Sequence, residues 1–214
     1  MKARIGYVAW IVGVAQFFAF HGIVQAAWAE PYSWARNNIS DLGNAHCALQ
    51  PDPTPRYICS PEHALMNTSF ITLGALVAAG ALLTGPLWRK NATARTARCL
   101  LAAGGAGFVL AGLAPADVNE NQHALGALLV MGAGNIGLLL AGSGLSHTVP
   151  PLLRRTTGLL GAAAIAAFGL FLSEHYLGLG MGGMERLAAF PLLLWTLTAG
   201  TTGLLLRRHR RTCH

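Results

Sequence analysis

Three Glu and His pairs are the side chains best suited to chemistry: Glu62 with His63, Glu120 with His123, and Glu174 with His175. A carboxylate beside an imidazole can bind a divalent metal, or the two can divide the roles of acid and base. Spacing separates the pairs. Only Glu120 and His123, three residues apart, project from one face of a helix, whereas adjacent residues point about 100° apart. A di-iron carboxylate bundle needs two E-x-x-H pairs and two further Glu residues. HExxH, G-x-S-x-G, a Walker loop and CxxCH are all missing from the sequence. The pattern predicts no metal site and no cofactor. Asp41, Glu120, Glu174 and His123 stand as candidate catalytic residues, since a desolvated acid of raised pKa can donate a proton. The competing reading is that carboxylates gather at these helix mouths because membrane topology keeps basic residues away from them.

The elements that must position these groups are apolar. Of the 214 residues, 53% are hydrophobic and 11% are charged, against about 25% charged in an average soluble protein. Six apolar segments cover roughly residues 5–28, 64–85, 97–114, 123–145, 157–176 and 187–206, most of them meeting the roughly 17 to 25 residues that a helix needs to cross a bilayer. Unbroken apolar runs without alternation exclude a β-barrel. The first segment is long for a secretory signal and carries Gln16, His21 and Gln25, so it reads as a retained helix. The expected fold is all-α: a polytopic membrane protein with a bundle of six transmembrane helices and one long outer loop between helices 1 and 2. The whole of 1–214 forms a single domain, with the outer loop at 30–63 and a basic cytoplasmic tail at 207–214.

Orientation follows from positive charge, which cytoplasmic loops retain. With the N-terminus inside, all of the 15 Lys and Arg except Arg36, Arg56 and Arg186 fall on the inner side. All 8 carboxylates then lie outside. The formal charge of +7 is thus a topology signal, and nucleic-acid binding is not expected. The RRHRR run reads as a stop-transfer anchor rather than a lipid-binding motif. This places the chain in the plasma membrane with both termini cytoplasmic.

The stretch Glu30–Asn67 is the one long polar segment. It holds Cys47 and Cys59, which share the oxidising side and are expected to form a disulfide, worth on the order of 3 kcal/mol through restriction of the unfolded loop. Cys99 and Cys213, at inner helix ends, are expected to be free thiols. Prolines 31, 51, 53, 55 and 61 forbid continuous helix in the second half of the loop. Its first half, Tyr32–Asn44, mixes aromatic, amide and charged residues suited to a re-entrant turn or a short interfacial helix. It is expected to fold over the outer helix ends, so that Asn38, Ser40 and Asp41 join His63, Asn67, Glu120 and His123 in a ligand-binding pocket, with backbone donors or Arg36 stabilising Asp41. On helix 1, Phe17, His21, Gln25 and Trp28 form one stripe, and His21 reads as an interhelical hydrogen-bonding residue or as a pocket residue. Small residues at four-residue spacing (Ala103, Gly107, Ala111; Ala133, Gly137, Ala141) predict close packing of helices 3 and 4. Asn135, the most deeply placed amide, needs an interhelical partner. The GLGMGG segment reads as a turn before Glu185 and Arg186, and Pro191 as a kink beside Trp195.

The segments YSWARNNISDLGN, LMNTSF, LAPADVNENQH and GMGGMERL together resemble the bacterial and archaeal membrane proteins of domain-of-unknown-function family 998, over nearly the whole chain. The resemblance implies a bundle of about six helices and brings no established activity. Four function classes stay open. The leading one is a lipid- or small-molecule-binding or accessory protein with an outward-facing polar site, followed by a membrane enzyme acting on a lipid or isoprenoid. A transporter would want charged groups near the midplane, and a haem protein a partner for His21. Membrane lipids are the expected partners, a small molecule or lipid the possible ligand, and the oligomeric state is undetermined by sequence.

The charge asymmetry makes a direct prediction. Reporter fusions after Lys90 and Arg211 should read cytoplasmic and one after Gln50 should read external; a cytoplasmic signal from the Gln50 fusion would overturn the orientation.

Overall fold

A computed structural model describes residues 1–28, 30–51 and 55–212, with side chains through 208. Asp52, Pro53, the His209–Arg211 side chains and Cys213, all of which entered the expectations above, lie outside the described residues. The described residues form an all-α bundle with six helices long and apolar enough to cross a membrane. They are α1 (Lys2–Ala26), α2 (His63–Leu83), α3 (Ala92–Leu113), a fourth span Glu120–Gly144, α6 (Pro151–Leu172) and α7 (Gly180–Thr212). The fourth span is divided into α4 (Glu120–Leu128) and α5 (Asn135–Gly144) by a π-helical turn at Leu129–Gly134.

Three helices begin earlier than hydropathy indicates. Arg95 and Arg98 sit in the first turns of α3, and Arg154 and Arg155 in those of α6. Charge lowers the apolar signal there but leaves helix propensity intact. Asn91 caps α3 by accepting from the Ala94 amide at 2.9 Å, and Arg98 reaches across to the Ala81 and Leu82 carbonyls that end α2. The third case is α7. The GMGG segment is its first turn rather than a connecting turn, with positive φ at Gly178 just ahead of it and at Gly180, its first residue.

Glycine sets how closely the spans approach. A Cβ at Gly107 would meet the Gly126 carbonyl, and one at Gly137 the backbone of Ala97 and Leu101, so the expected packing of the third and fourth spans is present. Gly104 against Gly134 serves in place of Ala103 against Ala133, both of which are only partly buried. At mid-bundle the Trp10 indole donates to the Val77 carbonyl at 3.0 Å, and the Trp195 indole to the Thr157 hydroxyl at 2.9 Å. Trp10 and Trp195 lie 5.4 Å apart between ring centroids. Asn135 has the interhelical partner its depth requires. Its Nδ2 donates to the Met131 and Ala188 carbonyls, each at 2.8 Å. The first of these bonds serves a carbonyl of the π turn, where the regular i to i−4 ladder is interrupted.

His21 departs from the leading expectation. It is buried, yet neither ring nitrogen has a hydrogen-bond partner. It is enclosed instead by the rings of Phe17, Tyr32, Trp34 and Phe190 at centroid distances from 5.6 to 6.4 Å. The interhelical amide bond of α1 belongs to Gln16, off that stripe, which exchanges hydrogen bonds with Ser69 of α2.

Candidate functional site

The loop between α1 and α2 is folded down over the bundle by side chains that reach up from the helices. Ile39 and Leu42 of the ISDLG segment are buried in the apolar core, and Ser40–Gly43 makes one 3-10 turn. The Gly43 carbonyl accepts from Asn67 Nδ2 at 2.8 Å, and the Leu42 carbonyl from the Ser60 hydroxyl at 2.7 Å. Glu185 of α7 accepts the Ile39 amide at 2.5 Å. Behind this turn, Cys47 and Cys59 are bridged and close a two-stranded hairpin, β1 (Ala48–Gln50) against β2 (Arg56–Ile58).

Arg186 is the hub of the arrangement. The residue is 5% exposed, and its guanidinium donates to the carbonyls of Trp34 at 3.0 Å, Asn37 at 2.8 Å and Gly182 at 2.7 Å and also bonds the Tyr32 hydroxyl. Its carbon centre stands 4.9 Å from the Trp34 ring centroid, a cation–π distance. Burial pushes the Tyr32 phenol far above its usual pKa, so the hydroxyl stays protonated and donates to the Asn38 carbonyl at 2.8 Å. Close approach needs Gly182, where any Cβ would collide with the Asn37 carbonyl, and the Gly182 amide donates to Ala35 at 2.9 Å.

Asp41 is buried and fully engaged. It accepts from Arg56 Nε at 2.9 Å and Nη2 at 3.2 Å, from the Asn38 amide at 3.0 Å and from Asn37 Nδ2 at 3.3 Å. The cation is therefore Arg56, returned by the hairpin, and not Arg36, which is exposed. Asp117 ties the hairpin's entry to the α3–α4 turn by accepting the Ala45 and His46 amides at 3.0 and 2.7 Å, with the His46 ring 3.0 Å away. Partial desolvation raises the Asp117 carboxyl, but these donors outweigh it, and the group titrates below the usual carboxylate range.

Beneath and beside the loop runs a cleft of about 1050 Å³. Asn38, Ser40, Asp41, Glu120, His123 and Glu174 all line it, together with Asn44, Asp117 and Glu185. Its other wall is apolar, made by Ala127, Leu128 and Met131 of the fourth span, Phe168, Phe171 and Leu172 of α6, and Met181 of α7. His123 and Glu185 also border a smaller extension of about 50 Å³ between Ile39, Phe70, Phe108 and Ala189. Two of the expected ligand residues lie elsewhere. Asn67 is committed to Gly43, and the His63 ring is 3.0 Å from the Ser60 carbonyl. The other paired histidines also meet local carbonyls, His123 that of Ala114 at 2.9 Å and His175 that of Ser173 at 2.6 Å. Among the described residues no three His, Cys, Asp or Glu side chains are grouped to hold a metal ion.

Residues 11–202 match the model of a family described as protein of unknown function (DUF998). The chain belongs to this family. Comparison with curated proteins and with solved structures found no match. The family match spans both halves of the arrangement just described, from α1 through the loop to α7, and covers every residue lining the cleft.

Sequence reasoning missed Glu185, Arg186, Tyr32 and Arg56 as parts of one network. The available signal was an adjacent pair of opposite charges inside an apolar run, since a charge there must be paired or bonded.

The Asp41–Arg56 pair yields a stability prediction. Breaking a buried pair by removing one partner costs about 3 to 5 kcal/mol, so Asp41→Asn and Arg56→Ala should each destabilise the purified protein strongly in equilibrium unfolding. The double variant should lose clearly less than the two single losses added. Strict additivity, or a cost below about 0.5 kcal/mol for Asp41→Asn, is the outcome that would remove the pair from the account.

Proposed function

We propose that this protein binds a membrane amphiphile in the cleft under its polar loop, with the head among the carboxylates and amides of the loop face and the chain along the apolar wall. In this reading the protein lies in the plasma membrane with both termini cytoplasmic and the cleft on the outer face. The charge asymmetry of the sequence and the Cys47–Cys59 bridge, which persists in oxidising compartments, support that placement.

The observation that carries the reading is the cleft's division into a polar side and an apolar side. Leu128 and Leu172, which line the apolar wall, are also 51% and 65% exposed on the flank of the bundle. The wall thus continues into the surface that faces the hydrocarbon, and a chain can enter sideways from the bilayer. Trp10, Leu73, Leu101 and Leu138 are fully buried between the helices, which favours binding over transport.

An enzymatic reading draws on Glu185 and His123, a buried carboxylate and an imidazole that share both parts of the cleft. It would make the bound amphiphile a substrate, and binding comes first in either case.

Protein extracted from its native membrane in mild detergent should carry a bound amphiphile detectable by native mass spectrometry. Ala127→Trp fills the cleft at a half-buried position and should abolish that adduct while the helical circular dichroism is unchanged. An adduct of undiminished abundance in the folded variant would move the ligand out of the cleft.

A further inference from the structure

The charges around the cleft define the kind of head it accepts. Five carboxylates line it, from Asp41, Asp117, Glu120, Glu174 and Glu185, and Arg56 is the one Lys or Arg among the lining residues. Arg56 holds Asp41 at 2.9 Å. The neighbouring Arg186 is turned toward the Trp34, Asn37 and Gly182 carbonyls. Neither arginine is therefore uncommitted there, and the His123 ring, the other basic group on the wall, meets the Ala114 carbonyl through Nδ1, whereas Glu120 and Glu174 are exposed there and make no side-chain hydrogen bond among the described residues.

A second observation points the same way. Asn44 is 8% exposed, lines the cleft, and its Oδ1 has no hydrogen-bond partner. The Asn38 Oδ1 on the same wall is likewise without one. A buried acceptor left unpaired is costly, and these two oxygens, closed off from water in the cleft wall, would shed that cost by turning toward a donor-bearing ligand head. An anionic head would instead add charge to a carboxylate-lined site with no free cation to meet it, a repulsive arrangement that discriminates strongly between ligands.

Resting on the amphiphile-binding reading above, we infer that the cleft selects amphiphiles whose head donates hydrogen bonds and carries no negative charge, with an ammonium head preferred, an uncharged polyol head next and a phosphate head rejected. Glu120 and Glu174 would meet the cationic head at the mouth, and the Asn38 and Asn44 carbonyl oxygens would accept from its donors deeper in.

The test uses the full chain in phosphatidylcholine nanodiscs doped with one of three photo-crosslinkable probes that share a saturated chain and carry an ammonium, a glucosyl or a phosphate head. Labelled peptides are mapped by mass spectrometry. The ammonium probe should label the peptides of Glu120–Met131 and 168–174 about tenfold more than the phosphate probe, a difference of about 1.4 kcal/mol. In the Glu120→Gln, Glu174→Gln double variant, whose exposed positions leave the core intact, that ratio should fall toward one. Equal or stronger labelling of these peptides by the phosphate probe would overturn the head preference while leaving cleft binding in place. An unchanged ratio in the double variant would overturn the role of the two carboxylates. Absence of cleft labelling by any probe would instead overturn the proposed function itself.

Discussion

Arg186 enters the loop end of the bundle carrying a charge that water no longer solvates, so its donors must look to the protein for acceptors; Nη1 and Nη2 find them, and Nε has none. A guanidinium cannot shed its proton to escape this requirement. It draws in the backbone carbonyls of Trp34 and Asn37 and the hydroxyl of Tyr32, all from a segment that would otherwise be a solvated connector. Glu185, one residue before it, holds the Ile39 amide. A single turn of α7 thereby fixes both ends of an eight-residue stretch of loop. Asp41 and Arg56 add a second carboxyl and a second guanidinium group to the buried set beneath the loop.

That network determines the shape of the cleft. Because Ile39 and Leu42 are pinned into the core, Asn38, Ser40 and Asp41 face the α3–α4 turn and the end of α6 across open space. The π turn at Leu129–Gly134 lies on the apolar wall, a placement common for such turns near functional sites. Asn135 satisfies the backbone there and joins the fourth span to α7. The floor and the roof of the cleft are thus fastened to the same helix.

The spans were legible in the sequence because uninterrupted apolar runs of membrane length admit few alternatives. The Cys47–Cys59 bridge and the buried partner of Asn135 followed from compartment and depth. Helix starts were less legible, because arginines in the first turns of α3 and α6 and glycines in that of α7 mask helix in any reading by hydropathy. The pocket residues divided along a physical line. Asn38, Ser40, Asp41, Glu120, His123 and Glu174 converge on the cleft, while Asn67 and His63 went to loop carbonyls that no spacing rule reveals. His21 looked like a hydrogen-bonding residue because polar groups at depth need partners, yet its surroundings are four aromatic rings. Arg56 was hidden by distance along the chain, and only closure of the hairpin brings it to Asp41.

The central claim is that the Arg186 guanidinium holds the loop down as the roof of the cleft. Hydrogen–deuterium exchange on Arg186→Ala in nanodiscs tests it most directly. Loss of a hydrogen-bonded buried charge worth about 3 kcal/mol should speed exchange of the amides from Asn37 to Asn44 by about 100-fold, with the mid-helix amides of α2 and α3 unchanged. Equal protection of those loop amides in the variant and the natural protein would contradict the account.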